Sequence, residues 1–196
     1  MTSRVALPGL RTPGAGFDQP FEMLAACHER VVRTLDLLQR LQAHVAENGV
    51  DDSARQAARD VLRYFDVAAP LHHADEELHV FPPLLQPGVD AATQAVVRQL
   101  QQDHRDMAAC WAQAREPLQA LADGELLIIS IADRALWERF AALYAQHLIH
   151  EDQRVYPAAQ ALLADATQQA MGQEMAARRG APPTPWPTQA PRPPQS

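Results

Sequence analysis

Glycine is scarce through the long middle of the chain. Between residues 18 and 165 it occurs at positions 49, 88 and 124 alone, while Ala, Leu and Gln dominate. Such a composition favours helices over strands. Cysteine is scarce as well: Cys27 and Cys110 fit no paired metal spacing and are too few for a disulfide framework in 196 residues. They read as small buried apolar side chains on helices. A basic stripe is missing, and the net charge of −7 argues against a nucleic-acid partner. No stretch approaches 18 apolar residues, so nothing is expected to span a membrane. The N-terminus lacks the apolar run of a secretory signal, and a reducing cytoplasm is the expected compartment.

What is present is ordinary globular material, with 47% hydrophobic and 21% charged residues, enough for one domain with a sizeable core plus tails. Residues 1–17 carry Pro and Gly without periodicity and read as a flexible arm. Residues 166–196 form a C-terminal extension. Its last part, 180–196, holds seven prolines and is expected to be extended. That tail is a candidate ligand for a proline-recognition groove on a protein partner, although a solvated tail is the simpler reading.

Residues 18–165 divide into four helical segments. The first is expected from about Phe21 to Glu47, with Asp18 as a cap, Pro20 in the first turn and Gly49 after the end. The second is expected from about Ser53 to Phe81, capped among Asp51, Asp52 and Ser53, kinked at Pro70 and stopped by Pro82 and Pro83. The third follows Gly88 and Asp90 and reaches Ala114 to Leu121, its end weakened by Pro117. The fourth follows the Asp123-Gly124 turn, is regular by Ala132 and runs to about Leu163, bent at Pro157. Long helices with short links pack as antiparallel neighbours, giving an all-α, up-down-up-down four-helix bundle.

Polar residues interrupt the apolar stripes of these helices at matched places. The first stripe reads Phe21, Leu24, His28, Val31, Leu35, Leu38; the third reads Val97, Leu100, His104, Met107, Trp111, Ala114, Leu118. The second reads Val61, Phe65, Ala69, His72, Glu76, and the fourth Leu136, Phe140, Leu143, His147, Glu151. Each helix therefore points a histidine inward, and two add a glutamate one turn along. In antiparallel helices a position near one start meets a position near the partner's end, so all six side chains can meet at one depth. Burying two carboxylates and four imidazoles is costly unless something pairs with them. A buried hydrogen-bond network is the competing account, and metal is the simpler one.

The chain also repeats itself. His28 and His104 are 76 residues apart, whereas His72 and His147, Glu76 and Glu151, and Pro82 and Pro157 are each 75 apart. The segments LHHADEELHVFP (71–82) and QHLIHEDQRVYP (146–157) align directly. Two helical hairpins thus carry the same His, then His-x3-Glu.

This pattern resembles the hemerythrin-like, or HHE cation-binding, domain: one His on each of four helices, His-x3-Glu on the second and fourth, ahead of [FY]-P. The resemblance covers roughly residues 20–165. Ferritin-like di-iron bundles use Glu-x2-His instead, and no such pair occurs at matching positions. The resemblance implies two iron ions (Fe2+/Fe3+) with a bridging oxo or hydroxo group. His28, His72, His104 and His147 become terminal ligands, and Glu76 and Glu151 bridging carboxylates. Imidazole and carboxylate also allow manganese or zinc. One departure stands out. Oxygen-carrying hemerythrins have a further histidine four residues after the one on the third helix, where this chain has Ala108. The methyl group of Ala108 is expected to face the site and leave about two coordination positions open.

Neighbouring residues carry lesser expectations. His73, Glu77 and Asp152 are expected to face away, as solvated groups or outer partners of the ligands. His79, Asp103 and His150 are weaker candidates for the site or its entrance. Tyr64, Tyr144 and Tyr156 are expected to pack in the core. The function implied is a binding or sensing protein for dioxygen, nitric oxide or a small anion. An enzyme that reduces peroxide or nitric oxide or activates dioxygen is the alternative, as is iron storage or delivery. A monomer or weak homodimer is expected.

Overall fold

The structure is a computed structural model that describes residues 16–181. The readings made for residues 1–15 and for the proline-rich stretch 182–196 fall outside the described residues. Among the described residues there are five helices and no strand. Helix α1 is Pro20–Asn48, α2 covers residues 52–84, α3 is Ala91–Asp123, α4 covers residues 131–162, and α5 is Asp165–Arg178.

Local chemistry sets the starts and stops. Asp51 accepts from the Ala54 N–H at 2.8 Å and Asp90 from the Thr93 N–H at 2.9 Å, each satisfying one free donor of a first turn. Ser130 and Asp133 form a capping box that starts α4. Gly124, with φ of 80°, closes α3 in the left-handed region that a side chain disfavours. The first helix departs from expectation. Its N-cap is Gln19, without a side-chain bond, and Pro20 supplies the first turn in place of a cap by Asp18.

The prolines act differently from a stop. Helix α2 continues through Pro82 and Pro83 to Leu84 instead of ending at Phe81. Three π-helical turns, Tyr64–Ala68, Glu76–Val80 and Glu151–Val155, each lie just ahead of a proline, at Pro70, Pro82 and Pro157. In an α-helix the proline ring strikes the carbonyl four residues back and leaves it without a donor. The carbonyls concerned belong to Asp66, Leu78 and Gln153, all inside the wider turns, which absorb the conflict. Pro117 is carried within α3, which runs on to Asp123.

Two apolar layers flank one polar layer. Leu38, Phe65, Trp111, Trp137 and Phe140 centre the first. Leu24, Phe81, Leu84, Leu100 and Val155 centre the second, together with Met171 and Met175 of α5. Along α1 the chain passes from Leu24 in one layer through His28 to Val31 in the other, and α3 does so through Leu100, His104 and Met107. Helices α2 and α4 run the opposite way, from Ala69 to Val80 and from Tyr144 to Val155. The fold thereby brings the interrupting residues to one depth. Helix α5 crosses close over the segment just before α1: a Cβ on Gly172 would lie 1.9 Å from the Phe17 carbonyl oxygen. Both cysteines are buried and free, as expected of small apolar residues.

Candidate metal centre

His28, His72, Glu76, His104, His147 and Glu151 are all buried, with the two glutamates fully so. The carboxylates lie between the histidines in a particular way. Glu76 Oε1 is 3.4 Å from His72 Nε2, and its Oε2 is 3.5 Å from His104 Nε2. Glu151 Oε2 is 3.2 Å from His28 Nε2, and its Oε1 is 3.0 Å from His147 Nε2. Each carboxylate thus offers one oxygen to a His28/His72 side and the other to a His104/His147 side. His28 and His72 face one another, Nε2 to Nε2, at 3.2 Å.

Outer carboxylates orient the rings. Nδ1 of His28 donates to Asp152 at 2.8 Å, Nδ1 of His104 to Glu77 at 2.9 Å, and Nδ1 of His147 to Asp103 at 3.3 Å. With the proton held on Nδ1, each Nε2 lone pair turns to the interior, as the outer partner of a metal-bound histidine arranges it. Asp152 and Glu77 are thereby outer partners, and Asp103 enters the surroundings of the site through His147.

The inner atoms are left over. Oε2 of Glu76, both oxygens of Glu151, and Nε2 of His104 and His147 are buried without a hydrogen bond of acceptable geometry. Unpaired buried carboxylate atoms are costly, and acceptor atoms that converge at one depth fit a cation. The charges within the site offset part of the cost. Burial disfavours a proton on His28, but Glu151 and Glu76 outweigh it and hold the ring's pKa up to about 9. Burial works against the Glu151 anion too, yet His147 and His28 pull it down to about 2. A cation held by His28 near neutral pH would have to displace that proton. Burial pushes His72 and His73 down to about 3, which leaves both as neutral lone-pair donors.

Several neighbours stand elsewhere than the sequence places them. His73 does not face away. Its ligand atom converges with those of His104 and His147, all within 4.8 Å of one another, and its ring stacks on His104 at 4.0 Å. Tyr156 does more than pack. Its hydroxyl donates to Glu76 Oε1 and lies 2.9 Å from His28 Nε2, with the rings of Tyr156 and His28 stacked at 5.2 Å. Ala108 is exposed, because the inward stripe of α3 passes from His104 to Met107 and Trp111, so its methyl group does not face the site. His79 reaches Glu174 of α5 at 3.3 Å, away from the centre. His150 is not among the residues whose donor atoms converge. Tyr64 donates to the Cys27 carbonyl and packs on Phe65, and Tyr144 packs on Phe65 and Phe140, as core residues do. The sequence does carry a signal for His73: the doublet His72-His73 faces His147-Leu148 in the repeat.

No helix among the described residues is long and apolar enough to cross a membrane. A protein of Haemophilus influenzae, described as an uncharacterized protein, is 33% identical over 165 residues, covering 84% of this chain and 92% of the relative. Residues 19–159, which hold every convergent histidine and glutamate above, match the hemerythrin HHE cation binding domain. The chain belongs to the hemerythrin HHE cation-binding family.

Proposed function

We propose that the chain holds two iron ions between α1, α2, α3 and α4 and binds or senses a small ligand there: dioxygen, nitric oxide or a small anion. His28 and His72 would hold one ion and His104 and His147 the other, with Glu76 and Glu151 offering an oxygen to each. The observation that carries this reading is the split of each buried carboxylate, one oxygen toward each histidine pair. A single closed site would draw both oxygens of a carboxylate to one side. Imidazole with carboxylate suits iron, and manganese or zinc share the preference in part. The bound ions would supply positive charge and exchangeable positions for a small ligand. The protein's part is to align the Nε2 atoms through Asp152, Glu77 and Asp103 and to keep the layer dry between two apolar cores.

A second reading, a di-iron oxidoreductase acting on peroxide, nitric oxide or dioxygen, is favoured by Tyr156. Its hydroxyl is a proton-bearing group held inside the site against Glu76 and His28. Elemental analysis with an optical spectrum, after aerobic expression with iron, tests the metal assignment. Two iron ions per chain are expected, and a single tetrahedral zinc would overturn it. Multiple turnovers of peroxide or nitric oxide by the reduced protein would move the protein to the second reading.

A further inference from the structure

We infer that helix α5 is a clasp added to the four-helix domain, and that it acts through Asp75, a positioning residue, to fix the wide turn of α2 that carries Glu76. The matched family domain ends at residue 159 and α5 begins at Asp165, so the clasp lies outside the matched residues. Its bearing on a bound ion rests on the two-metal reading above, whereas its hold on the turn does not.

The turn widens to accommodate Pro82 and gives up α-helical hydrogen bonds, so contacts outside it decide how firmly it is held. Those contacts bracket it. Asp75, the residue before Glu76, has no exposed surface, and its two oxygens accept from Arg178 at the end of α5 and Arg179 just after it. His79, one helical turn further along α2, lies 3.3 Å from Glu174, which also accepts from Arg178 at 2.9 Å. Asp75, Arg178, Glu174 and His79 thus run from α2 to α5 and back. Met171 and Met175 pack in the same apolar layer as Val80 and Phe81, at the far end of the turn. A buried carboxylate is costly once a partner is removed, and the two arginines that pair with Asp75 both come from the C-terminal helix and its cap.

The matching turn of α4 is fastened in another way. The 75-residue offset of the repeat places His150 with Asp75 and Arg154 with His79. Arg154 reaches Thr93 at 3.2 Å and Asp90 at 3.3 Å, at the start of α3, so this turn is tied within the four helices. The 76-residue offset matches Thr93 to Phe17. There the first half turns toward α5: Arg179 lies over the Phe17 ring at 6.0 Å, and Gly172 makes room for the Phe17 carbonyl. Glu76 is therefore fastened by the C-terminal helix, and Glu151 by the start of α3. Drawing α5 off the bundle would loosen the first carboxylate ahead of the second.

The test is hydrogen exchange, read by mass spectrometry, on the full-length protein before and after iron loading. With Arg178→Ala and Arg179→Ala together, the iron-free amides of residues 76–80 should exchange at least about tenfold faster, while those of 151–155 keep the wild-type rate. Adding Asp75→Asn removes the unpaired buried charge and so guards against a variant that fails to fold. The turn should stay loose in this triple variant, because the clasp is still missing. Iron affinity, measured against a coloured chelator, should fall about fivefold or more in both variants, the lower end of coupling between separate places in one protein. Faster exchange confined to residues 165–178, or equal in the two turns, would overturn the inference. So would wild-type protection of 76–80 in the triple variant, which would leave only the cost of an unpaired charge. Unchanged iron affinity beside a loosened turn would overturn the link to the metal centre. Wild-type protein that binds no metal pair would instead overturn the two-metal reading, and the iron-free exchange would still decide the clasp.

Discussion

The hairpin of α1 and α2 and the hairpin of α3 and α4 put equivalent residues at equivalent depths, yet their surroundings differ at three places. What they share is the framework. His28 is oriented by Asp152 and His104 by Glu77, which are matched pairs in the repeat. An aromatic ring follows each glutamate by five residues, across a π turn, and stacks on the lone histidine of the other hairpin: Tyr156 on His28 at 5.2 Å, Phe81 on His104 at 5.5 Å. The differences are His73 against Leu148, Tyr156 against Phe81, and Asp103 against Cys27. The last has a visible consequence. Asp103 holds Nδ1 of His147, while Nδ1 of the matching His72 is buried without a partner. A repeated hairpin supplies a symmetric box of buried imidazoles and carboxylates, and a few side chains on its walls make the two halves unlike.

The largest effect expected in breaking this comparison comes from removing what both halves share. Chelating the metal should leave the helices intact, because both apolar layers remain. The buried carboxylates and imidazoles then lose their common partner. A ligand present at a thousandfold over its Kd contributes about 4 kcal/mol, and a domain of this size shifts by roughly 2–4 °C per kcal/mol. Calorimetry should therefore show the metal-free protein melting about 8–16 °C lower with unchanged far-UV dichroism. His147→Ala should behave similarly and lose metal. Equal melting of loaded and stripped protein would remove any structural role for the ions.

A middling effect should follow from the outer partners. Asp103→Ala frees the His147 ring and should weaken metal binding by about 10–100-fold in competition with a coloured chelator. Cys27→Ala, at the matching position, should change it by less than about twofold, since no side chain there holds His72. Similar losses in both variants would mean that the halves are more alike than their hydrogen bonds indicate.

The smallest effect should come from making the aromatic pair identical. Tyr156→Phe removes the hydrogen bond to Glu76 but keeps the stack on His28, so about 1 kcal/mol of stability is expected to go. Metal content should match that of the wild type. Loss of an entire metal equivalent would make Tyr156 part of the binding set, not a neighbour of it.

The sequence by itself determined the four helices of the bundle, their antiparallel order and their inward faces, but not α5. The reason is that period, caps and apolar stripes are local properties of the chain, and a long stripe broken at one level in each of four helices has few other meanings. His28, His72, Glu76, His104, His147 and Glu151 all converge where the stripes place them. Tertiary structure decided the rest. A stripe gives one inward direction per helix, but α2 touches two neighbours, so His72 and His73 both reach the interior by facing different helices. The π turns shift the phase after Glu76 and Glu151, and this brings the Tyr156 hydroxyl to Glu76 across the bundle. Whether Ala108 lines the site depended on the rotation of α3 within the bundle, and that rotation exposes it. The docking of α5 through Met171 and Met175 rests on contacts with distant residues that no local pattern records.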